Sequence, residues 1–422
     1  MPAERALLVT VQLDPRYVKD GAPWSLEDEA QELAELVRSS GCRVVGEVHA
    51  RRHQPIAGTF LGSGKLEEIG GTVEEHQAQV VIFNHELSPA QQRNIESLIR
   101  AKTIDRTQLI LDIFAQRARS QEGKVQVELA QLRYLMPRLI GQGILLSRLG
   151  GGVGTRGPGE QKLEIDRRRI RARMIRLNGE LQQLSRRRSA IRSRRKETEA
   201  PVAALLGYTN AGKTTLLNRL TGAMAVAKDQ LFTTLDPLAR QVRLPNGETI
   251  ILTNTVGFLH HLPHHLIEAF KATLEEARDA DLVVHVLDAS HPRLTEHAAA
   301  VEAVLAELDL EQKPTITVLN KCDRLEDPQR AQILERAYAP GCAISAKTGE
   351  GVDRLLALLA EQFGRLLIAP TRLRVPADRG DVIAAIYRLG NVLTRQEREG
   401  MIEMVVRLPA KLRASLSEYL ST

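Results

Sequence analysis

Gly207-Tyr208-Thr209-Asn210-Ala211-Gly212-Lys213-Thr214 matches the pattern G-x-x-x-x-G-K-[ST], and a further hydroxyl residue, Thr215, stands directly behind it. A glycine-framed loop of this spacing can wrap its backbone N–H groups around a phosphate chain, with the helix it opens adding the positive end of its dipole. Lys213 would reach the β- and γ-phosphates, and the Thr214 hydroxyl would ligate Mg²⁺. The flanks suit this reading. Val202 to Leu206 is an apolar run of strand length that leads straight into the loop, and a helical pattern follows it. Phosphoryl chemistry on a nucleotide is what the spacing serves.

Asn320-Lys321-Cys322-Asp323 follows the apolar strand Thr315 to Leu319, and Ser345-Ala346-Lys347 follows another short apolar run. These segments resemble the N-K-x-D and S-A-K motifs with which translation-factor-type GTPases read guanine. The resemblance implies that the Asp323 carboxylate accepts from the ring N–H and the exocyclic amine, a donor pair that adenine lacks. It also implies that Asn320 braces the loop, that the Lys321 stem lies along the base, and that the Ala346 N–H meets the guanine oxygen, with Ser345 and Lys347 completing the loop. GTP and GDP are therefore expected in preference to ATP. Thr234, within Phe232-Thr233-Thr234-Leu235-Asp236-Pro237, resembles the switch I threonine that closes over Mg²⁺ and the γ-phosphate, with Thr233 as the neighbouring alternative.

Switch II of such proteins reads D-x-x-G, whereas this chain has Asn254-Thr255-Val256-Gly257. The glycine is kept and the carboxylate is an amide. An amide oxygen can accept from a Mg²⁺-bound water but brings no charge, so weaker Mg²⁺ coupling and slower hydrolysis or switching are expected. Phe258 occupies the place where a Ras-like enzyme carries its water-orienting glutamine, and a phenyl ring cannot hydrogen-bond water. GTPases with a hydrophobic residue there commonly rely on a partner or a monovalent cation, and Asn210 matches the cation-ligating asparagine of potassium-dependent relatives. The catalytic set expected from the resemblance is thus Lys213, Thr234 and Gly257, with Thr214 and Thr234 on Mg²⁺ and with stimulation by K⁺.

The elements that must hold these residues can be read from hydrophobic periodicity. The chain has 422 residues, 43% hydrophobic and 26% charged, which supports several folded domains rather than a disordered chain. Residues 1 to 115 alternate apolar runs (Ala6 to Leu13, Arg43 to Val48, Val80 to Asn84, Thr103 to Asp105) with helical patterns (Leu26 to Ser39, Lys65 to His76, Pro89 to Ala101), an N-terminal α/β domain. Residues 116 to 198 read as a helical hairpin: a helix over Val125 to Leu139, a stretch from Gly141 to Glu160 with eight glycines, and a second helix to Lys196. Residues 199 to 367 form the unit around the phosphate loop, with further strands at Thr249 to Thr253 and Leu282 to Leu287. Residues 368 to 422 make a small C-terminal α/β domain in which Val382 to Tyr387 and Met401 to Arg407 read as strands. The expected fold class is α/β and multidomain.

Charge singles out the hairpin. Gln161 to Lys196 carries fourteen Lys plus Arg against three acids, more than the whole chain's net +6, so the remainder is net acidic. Concentrated on one helix, that charge attracts a polyanion, and Arg156, Arg167, Arg168, Arg169, Arg171 and Arg173 are the expected contacts to an RNA backbone. Aromatic residues make up only 3%, with a lone Trp24, which disfavours base stacking on aromatic platforms and favours structured RNA gripped by shape and phosphate. No apolar run approaches the length of a membrane span. Three cysteines without metal-ligand spacing suit a reducing cytoplasm.

Glu86-Leu87-Ser88-Pro89-Ala90-Gln91-Gln92-Arg93-Asn94, Asp105-Arg106-Thr107, Asp112 to Ala118, Glu128 to Leu132, Arg156-Gly157-Pro158-Gly159-Glu160 and Asp229-Gln230-Leu231-Phe232 together resemble the HflX family of ribosome-associated GTPases. The match covers roughly residues 80 to 290. The resemblance implies a Ras-like GTPase domain, binding to the large ribosomal subunit with the hairpin reaching toward the peptidyl-transferase region, and GTP-dependent splitting or rescue of stalled or idle ribosomes. A monomeric chain is expected. A rival reading is a GTP-gated RNA-binding scaffold whose turnover Asn254 makes negligible.

Three weaker patterns have plainer explanations. Gly152, Gly154 and Gly157 satisfy G-x-G-x-x-G without a preceding strand. Gly62-Ser63-Gly64-Lys65 is a truncated phosphate loop with Leu66 in place of Ser or Thr, most simply a turn into a helix. His260, His261, His264 and His265 are separated by Pro263, which interrupts the helix that an i,i+4 metal pair would need.

Overall fold

The computed structural model describes residues 3–17, 24–139, 158–197, 201–222, 231–232, 235, 238–259, 276–366, 371–398, 400–408 and 415–420. In the N-terminal domain, strands β1 (Arg5–Leu13), β2 (Arg43–Arg52), β3 (Val80–Phe83) and β4 (Lys102–Asp105) alternate with helices α1 (Leu26–Ser40), α2 (Ser63–His76), α3 (Pro89–Ile99) and α4 (Arg106–Arg117). The strands form one parallel sheet in the order β2-β1-β3-β4. A parallel sheet is covered on both faces, which is why β1 and β3 read as nearly unbroken apolar runs. Leu7, Val9, Val81 and Phe83 pack there against Leu66, Ile69 and Ile95. Local signals start the helices. Ser25 and Asp105 cap α1 and α4, and Ser88 forms a reciprocal capping box with Gln91 just ahead of Pro89.

α5 (Gln121–Leu139) and α6 (Pro158–Glu197) form the hairpin arms, joined through Val125, Leu129 and Leu177. Two polar ties flank that seam: Arg173 forks onto Glu128 at 2.6 and 2.8 Å, and the Gln121 amide donates to Glu180 at 2.7 Å. The far end of α5 is riveted to the N-terminal domain by Arg138, which donates to the buried Asp105 carboxylate at 3.0 Å and to the Leu87 carbonyl at 2.7 Å. Its guanidinium lies 3.4 Å from the centroid of the Tyr134 ring. Helix α6 starts at Pro158, so the last part of the expected glycine loop is helical. Residues 140–157, with Arg156, Gly152, Gly154 and Gly157, lie outside the described residues.

The second sheet begins at β5 (Val202–Gly207). With β6 (Leu238–Arg243), β7 (Thr249–Asn254), β8 (Leu282–Asp288), β9 (Thr315–Asn320) and β10 (Gly341–Ala343) it makes a six-stranded sheet in the order β10-β9-β8-β5-β7-β6, parallel except for β6. Helices α7 (Lys213–Thr221) and α10 (Val352–Leu366) cover one face through Leu216, Leu217, Leu355 and Phe363. α8 (Leu294–Glu307) and α9 (Pro328–Ala337) supply Leu294, Ala298 and Leu334 to the other face. The C-terminal domain is a three-stranded antiparallel sheet, β11 (Thr371–Pro376), β13 (Met401–Arg407), β12 (Asn391–Arg398), backed by α11 (Gly380–Leu389).

That last helix corrects the strand expected over Val382 to Tyr387. Val382 and Ile386, one helical turn apart, are the buried residues of the segment and join Leu373, Ile402 and Met404 in the core, whereas a strand would have buried alternate positions. Met401 to Arg407 is a strand, as its alternation indicates.

Contacts divide the chain into two compact units that do not follow sequence order. One holds the N-terminal domain and the hairpin through Ser185 together with Leu231, Phe232, Leu235 and Val256 to Leu259, and the other holds most of the phosphate-loop domain and the C-terminal domain.

Candidate nucleotide-binding site

The phosphate loop leaves the end of β5, where that strand is clamped between β7 and β8: Leu205 registers with Asn254, Leu206 with His285 and Gly207 with Val286. The approach is close. A Cβ on Gly207 would lie 2.2 Å from the Val286 carbonyl oxygen, so the first motif position admits only glycine. Gly212 adopts φ +92°, and a Cβ there would sit 2.2 Å from Asn320 Nδ2. The second glycine is demanded by the neighbouring loop as well as by its own backbone.

Lys213 is buried under the loop and donates from Nζ to the carbonyls of Gly207 at 2.9 Å and Tyr208 at 2.8 Å. Burial lowers its pKa to about 7. Beneath it on β8, His285 is buried as well, and burial together with the Lys213 charge lowers its pKa to about 4, so it is neutral near pH 7. The Tyr208 ring stacks on His297 of α8, with centroids 3.8 Å apart and planes 5° from parallel. Burial, reinforced by His291, Arg293 and Lys321, lowers the His297 pKa to about 3. A neutral imidazole on a phenol ring braces the loop without adding charge beside the phosphate path.

Asn320, at the end of β9, ties two loops together. Its Nδ2 donates to the Ala211 carbonyl at 2.8 Å, and its Oδ1 accepts from the Ala346 N–H at 2.9 Å. The expected bracing role is thus a hydrogen-bonded bridge from the phosphate loop to the Ser345-Ala346-Lys347 loop. That loop turns on itself through Thr348 N–H to Ser345 Oγ at 3.1 Å and Gly349 N–H to the Ser345 carbonyl at 2.8 Å. Lys321 takes φ +66° and pairs its Nζ with Asp288 at 2.7 Å, which pins its stem along the mouth. Asp323 is exposed and has no protein partner among the described residues. Its carboxylate is available to two donors.

At the other end of the site, Asn254 is fully buried and its Nδ2 donates to Thr214 Oγ1 at 3.1 Å. Its Oδ1 has no hydrogen-bond partner among the described residues. A buried acceptor left open beside a threonine hydroxyl fits a Mg²⁺-bound water, so Thr214 and Asn254 are residues that could serve the ion. Thr215 lies half-buried in the first turn of α7. Gly257 and Phe258 are buried, while Thr233, Thr234 and the four histidines between 260 and 265 lie outside the described residues. The Leu231 N–H donates to Ser39 Oγ at 3.0 Å, and the Phe232 ring meets Phe114 edge to face with centroids 4.6 Å apart. Leu231 and Phe232, at the start of the segment expected to be switch I, are therefore anchored to α1 and α4.

Comparison with known proteins gives four family profiles in chain order: a GTP-binding GTPase N-terminal region over residues 27–115, a GTP-binding GTPase middle region over 117–195, a 50S ribosome-binding GTPase domain over 202–321, and an HflX C-terminal domain over 332–421. GTPase HflX of Lacrimispora saccharolytica is 45% identical over 417 residues, covering 98% of this chain and 96% of that protein. The chain belongs to the HflX family. GTPase HflX of Escherichia coli is 43% identical over 384 residues, covering 90% of each. Among solved structures, a GTP-binding protein of Sulfolobus solfataricus in complex with GDP is 23% identical with a TM-score of 0.47, covering 86% of this chain and 99% of that one.

The α/β multidomain fold is the expected one, and the loop after β5 falls within the residues matched by the GTPase domain profile. Other features escaped motif reading. Asp288 ends an apolar strand and could have been marked by that position. Arg219, whose guanidinium grips the Ala346 and Lys347 carbonyls from α7, carries no signal in the sequence that separates it from a surface arginine. The Gly62 to Lys65 turn opens α2, with Lys65 paired to Glu68 at 2.7 Å, which suits the plain reading of a turn into a helix. Among the described residues no group of three or more His, Cys, Asp or Glu could hold a metal ion, and no helix is long and apolar enough to cross a membrane.

Proposed function

We propose that this chain is a GTP-hydrolysing switch that binds the large ribosomal subunit through its basic hairpin and splits or rescues stalled or idle 70S ribosomes, with hydrolysis stimulated by the ribosome. The observation that carries the nucleotide half is the Asn320 bridge, because a loop built to cradle phosphates and a loop suited to reading a base are held at one sheet edge by one side chain. In this reading Gly207 to Thr215 enclose the phosphates, and Lys213 exchanges its two carbonyl partners for the β- and γ-oxygens. Asp323 accepts from the guanine ring N–H and amine, the Ala346 N–H, which donates to Asn320 Oδ1, is shared with the 6-oxygen, and the Lys321 stem lines the base. Thr214 and Thr234 would hold Mg²⁺, with Asn254 accepting from a bound water and Gly257 donating to the γ-phosphate. Bound there, the ion would neutralise charge that develops on the phosphates.

The hairpin supplies the RNA half. Arg168 and Arg171 are exposed on α6, Arg167 and Arg169 lie one turn from Glu164 and Asp166, and Arg173 is engaged by Glu128. Arg168 and Arg171 are thus the foremost phosphate contacts, and Arg173 chiefly holds the hairpin closed. GTP ordering the switches would stabilise the ribosome-bound geometry, and hydrolysis would release it. Family membership, together with Asn210 at the fourth loop position, supports K⁺ as a stimulant. Co-sedimentation with 50S, 30S and 70S particles in GDP and in a non-hydrolysable GTP analogue tests this function. Equal pelleting in both nucleotides, or no preference for 50S, would defeat it.

The hydrogen bond from Asn254 to Thr214 favours a second reading, a GTP-gated binding protein with negligible turnover. Asparagine at the end of β7 offers a metal site no charge, and its amide N–H engages the hydroxyl that should face the ion. Multiple-turnover phosphate release with and without 50S subunits separates the two readings.

A further inference from the structure

The guanine-reading assignment above leaves open what holds the Ser345-Ala346-Lys347 loop in register. We propose that Arg219, on the last turn of α7, is a positioning residue for guanine selection, acting through the backbone of that loop. Its Nε donates to the Ala346 carbonyl at 3.1 Å and its Nη2 to the Lys347 carbonyl. The guanidinium also lies alongside Gly349, 3.7 to 3.9 Å from where a Cβ would stand on that residue, which adopts φ +97°. Five donors in a rigid planar fork suit two successive carbonyls in a way that a flexible ammonium does not.

The consequence follows from peptide geometry. In a trans peptide the C=O and the next N–H lie in one plane and point in opposite directions. Holding the Ala346 carbonyl toward Arg219 therefore turns the Lys347 N–H away from it, and holding the Lys347 carbonyl does the same for the Thr348 N–H. The Thr348 N–H is taken by Ser345 Oγ at 3.1 Å, and the Ala346 N–H is directed to Asn320 Oδ1 at 2.9 Å. Asn320 grips the loop from the nucleotide side and Arg219 grips it from the outside. Between them the Ala346 N–H is held by Asn320, and the Lys347 N–H beside it is left as the donor set for a purine 6-oxo group. Because Arg219 rides on the helix that the phosphate loop opens, the same contact couples phosphate seating to base reading.

The inference rests on the guanine-reading assignment, and the test separates the two. Full-length wild type, Arg219→Ala and Arg219→Lys are titrated with GDP, IDP, the diphosphate of 2-aminopurine riboside, and ADP. GDP and IDP carry the 6-oxo group, and the 2-aminopurine nucleotide lacks it. Arg219→Ala should weaken GDP and IDP alike by about 10- to 100-fold, the worth of one or two hydrogen bonds to a charged group, and should change the 2-aminopurine affinity less than about 3-fold. Arg219→Lys, which keeps one donor direction, should recover part of the loss. Equal weakening of every nucleotide, or no change in the ratio of GDP to 2-aminopurine affinity, would overturn the role of Arg219. A wild type that binds GDP no better than ADP would overturn the base-reading assignment beneath it.

Discussion

Replacing Asn254 by aspartate restores the carboxylate that the switch II pattern calls for, and its cost can be worked from the site. Asn254 is fully buried, donates one hydrogen bond to Thr214 Oγ1 at 3.1 Å, and leaves Oδ1 without a partner among the described residues. Aspartate loses the donor, worth about 1 kcal/mol, and buries a carboxylate whose desolvation adds about 2 kcal/mol more after partial neutralisation. At about 2 to 4 °C per kcal/mol for a domain of this size, Asn254→Asp should lower the unfolding midpoint by about 6 to 12 °C in EDTA. With Mg²⁺ and GDP present the carboxylate gains its counter-ion, so the deficit should shrink to about 2 °C or less, and half-saturating Mg²⁺ for GTP turnover should fall about 10-fold. The deficit in EDTA should also narrow in acid, where a buried carboxyl is protonated. Scanning calorimetry at pH 8 with and without Mg²⁺, and a Mg²⁺ titration of phosphate release, provide the readouts. A midpoint shift that ignores Mg²⁺, with superimposable titrations, would show that the amide at 254 has no bearing on the ion.

Other outcomes follow from the same geometry. Burial holds the Lys213 pKa near 7 before nucleotide binds, and phosphate oxygens would raise it; binding then takes up a proton above that pH. GDP affinity should therefore be level below about pH 6 and fall with rising pH, approaching about tenfold per unit by about pH 8.5, and a flat calorimetric profile from about pH 7 to 8.5 would contradict it. Burial, opposed by Arg106 and the Asn84 hydrogen bond, raises the Glu29 pKa to about 7. A raised folded-state pKa stabilises fully below about pH 4.5 and is lost as pH rises through about 7, so Glu29→Gln should remove up to about 3 kcal/mol of pH dependence, read by hydrogen exchange of α1 and β3 amides between pH 5 and 8. An unchanged pH dependence would place the titration elsewhere. Arg168→Glu with Arg171→Glu should weaken 50S binding and flatten the plot of log affinity against log salt by about 1.4 to 1.8, whereas Arg173→Ala should loosen the α5–α6 seam with a smaller salt effect. Equal salt slopes for all three proteins would remove these arginines from the interface. Exchange of K⁺ for Na⁺ should slow GTP turnover, and an unaltered rate would dismiss the cation role of Asn210.

Much of the site is legible because its motifs are short and local. Strand, glycine-rich turn and helix N-terminus occupy fewer than twenty consecutive residues, and each property that a phosphate demands is met by a neighbour in the chain. The N-terminal strands announce themselves by unbroken apolar runs for the same local reason, burial on both faces of a parallel sheet. Legibility fails where burial is one-sided or partners are distant. β6 buries only Val242 and gives no apolar run, β11 is framed by prolines, and the short apolar stretch in α11 suits either a helix or a strand until the sheet it covers is known.

Taken alone, the amino-acid order determined the glycine-framed loop before α7, the Asn320 to Asp323 and Ser345 to Lys347 segments, the amide at position 254 and the concentration of arginine on one helix, since each depends on residue type and near-neighbour spacing. Tertiary structure decided which side chains join those motifs: Asn320 to Ala211 and Ala346, Asp288 to Lys321, Arg219 to the loop it grips, Glu128 to one of the arginines, and Ser39 and Phe114 to the segment beside switch I. These partners lie from 26 to 192 residues from what they hold. Their pairing is set by strand order and helix placement, which no local pattern encodes.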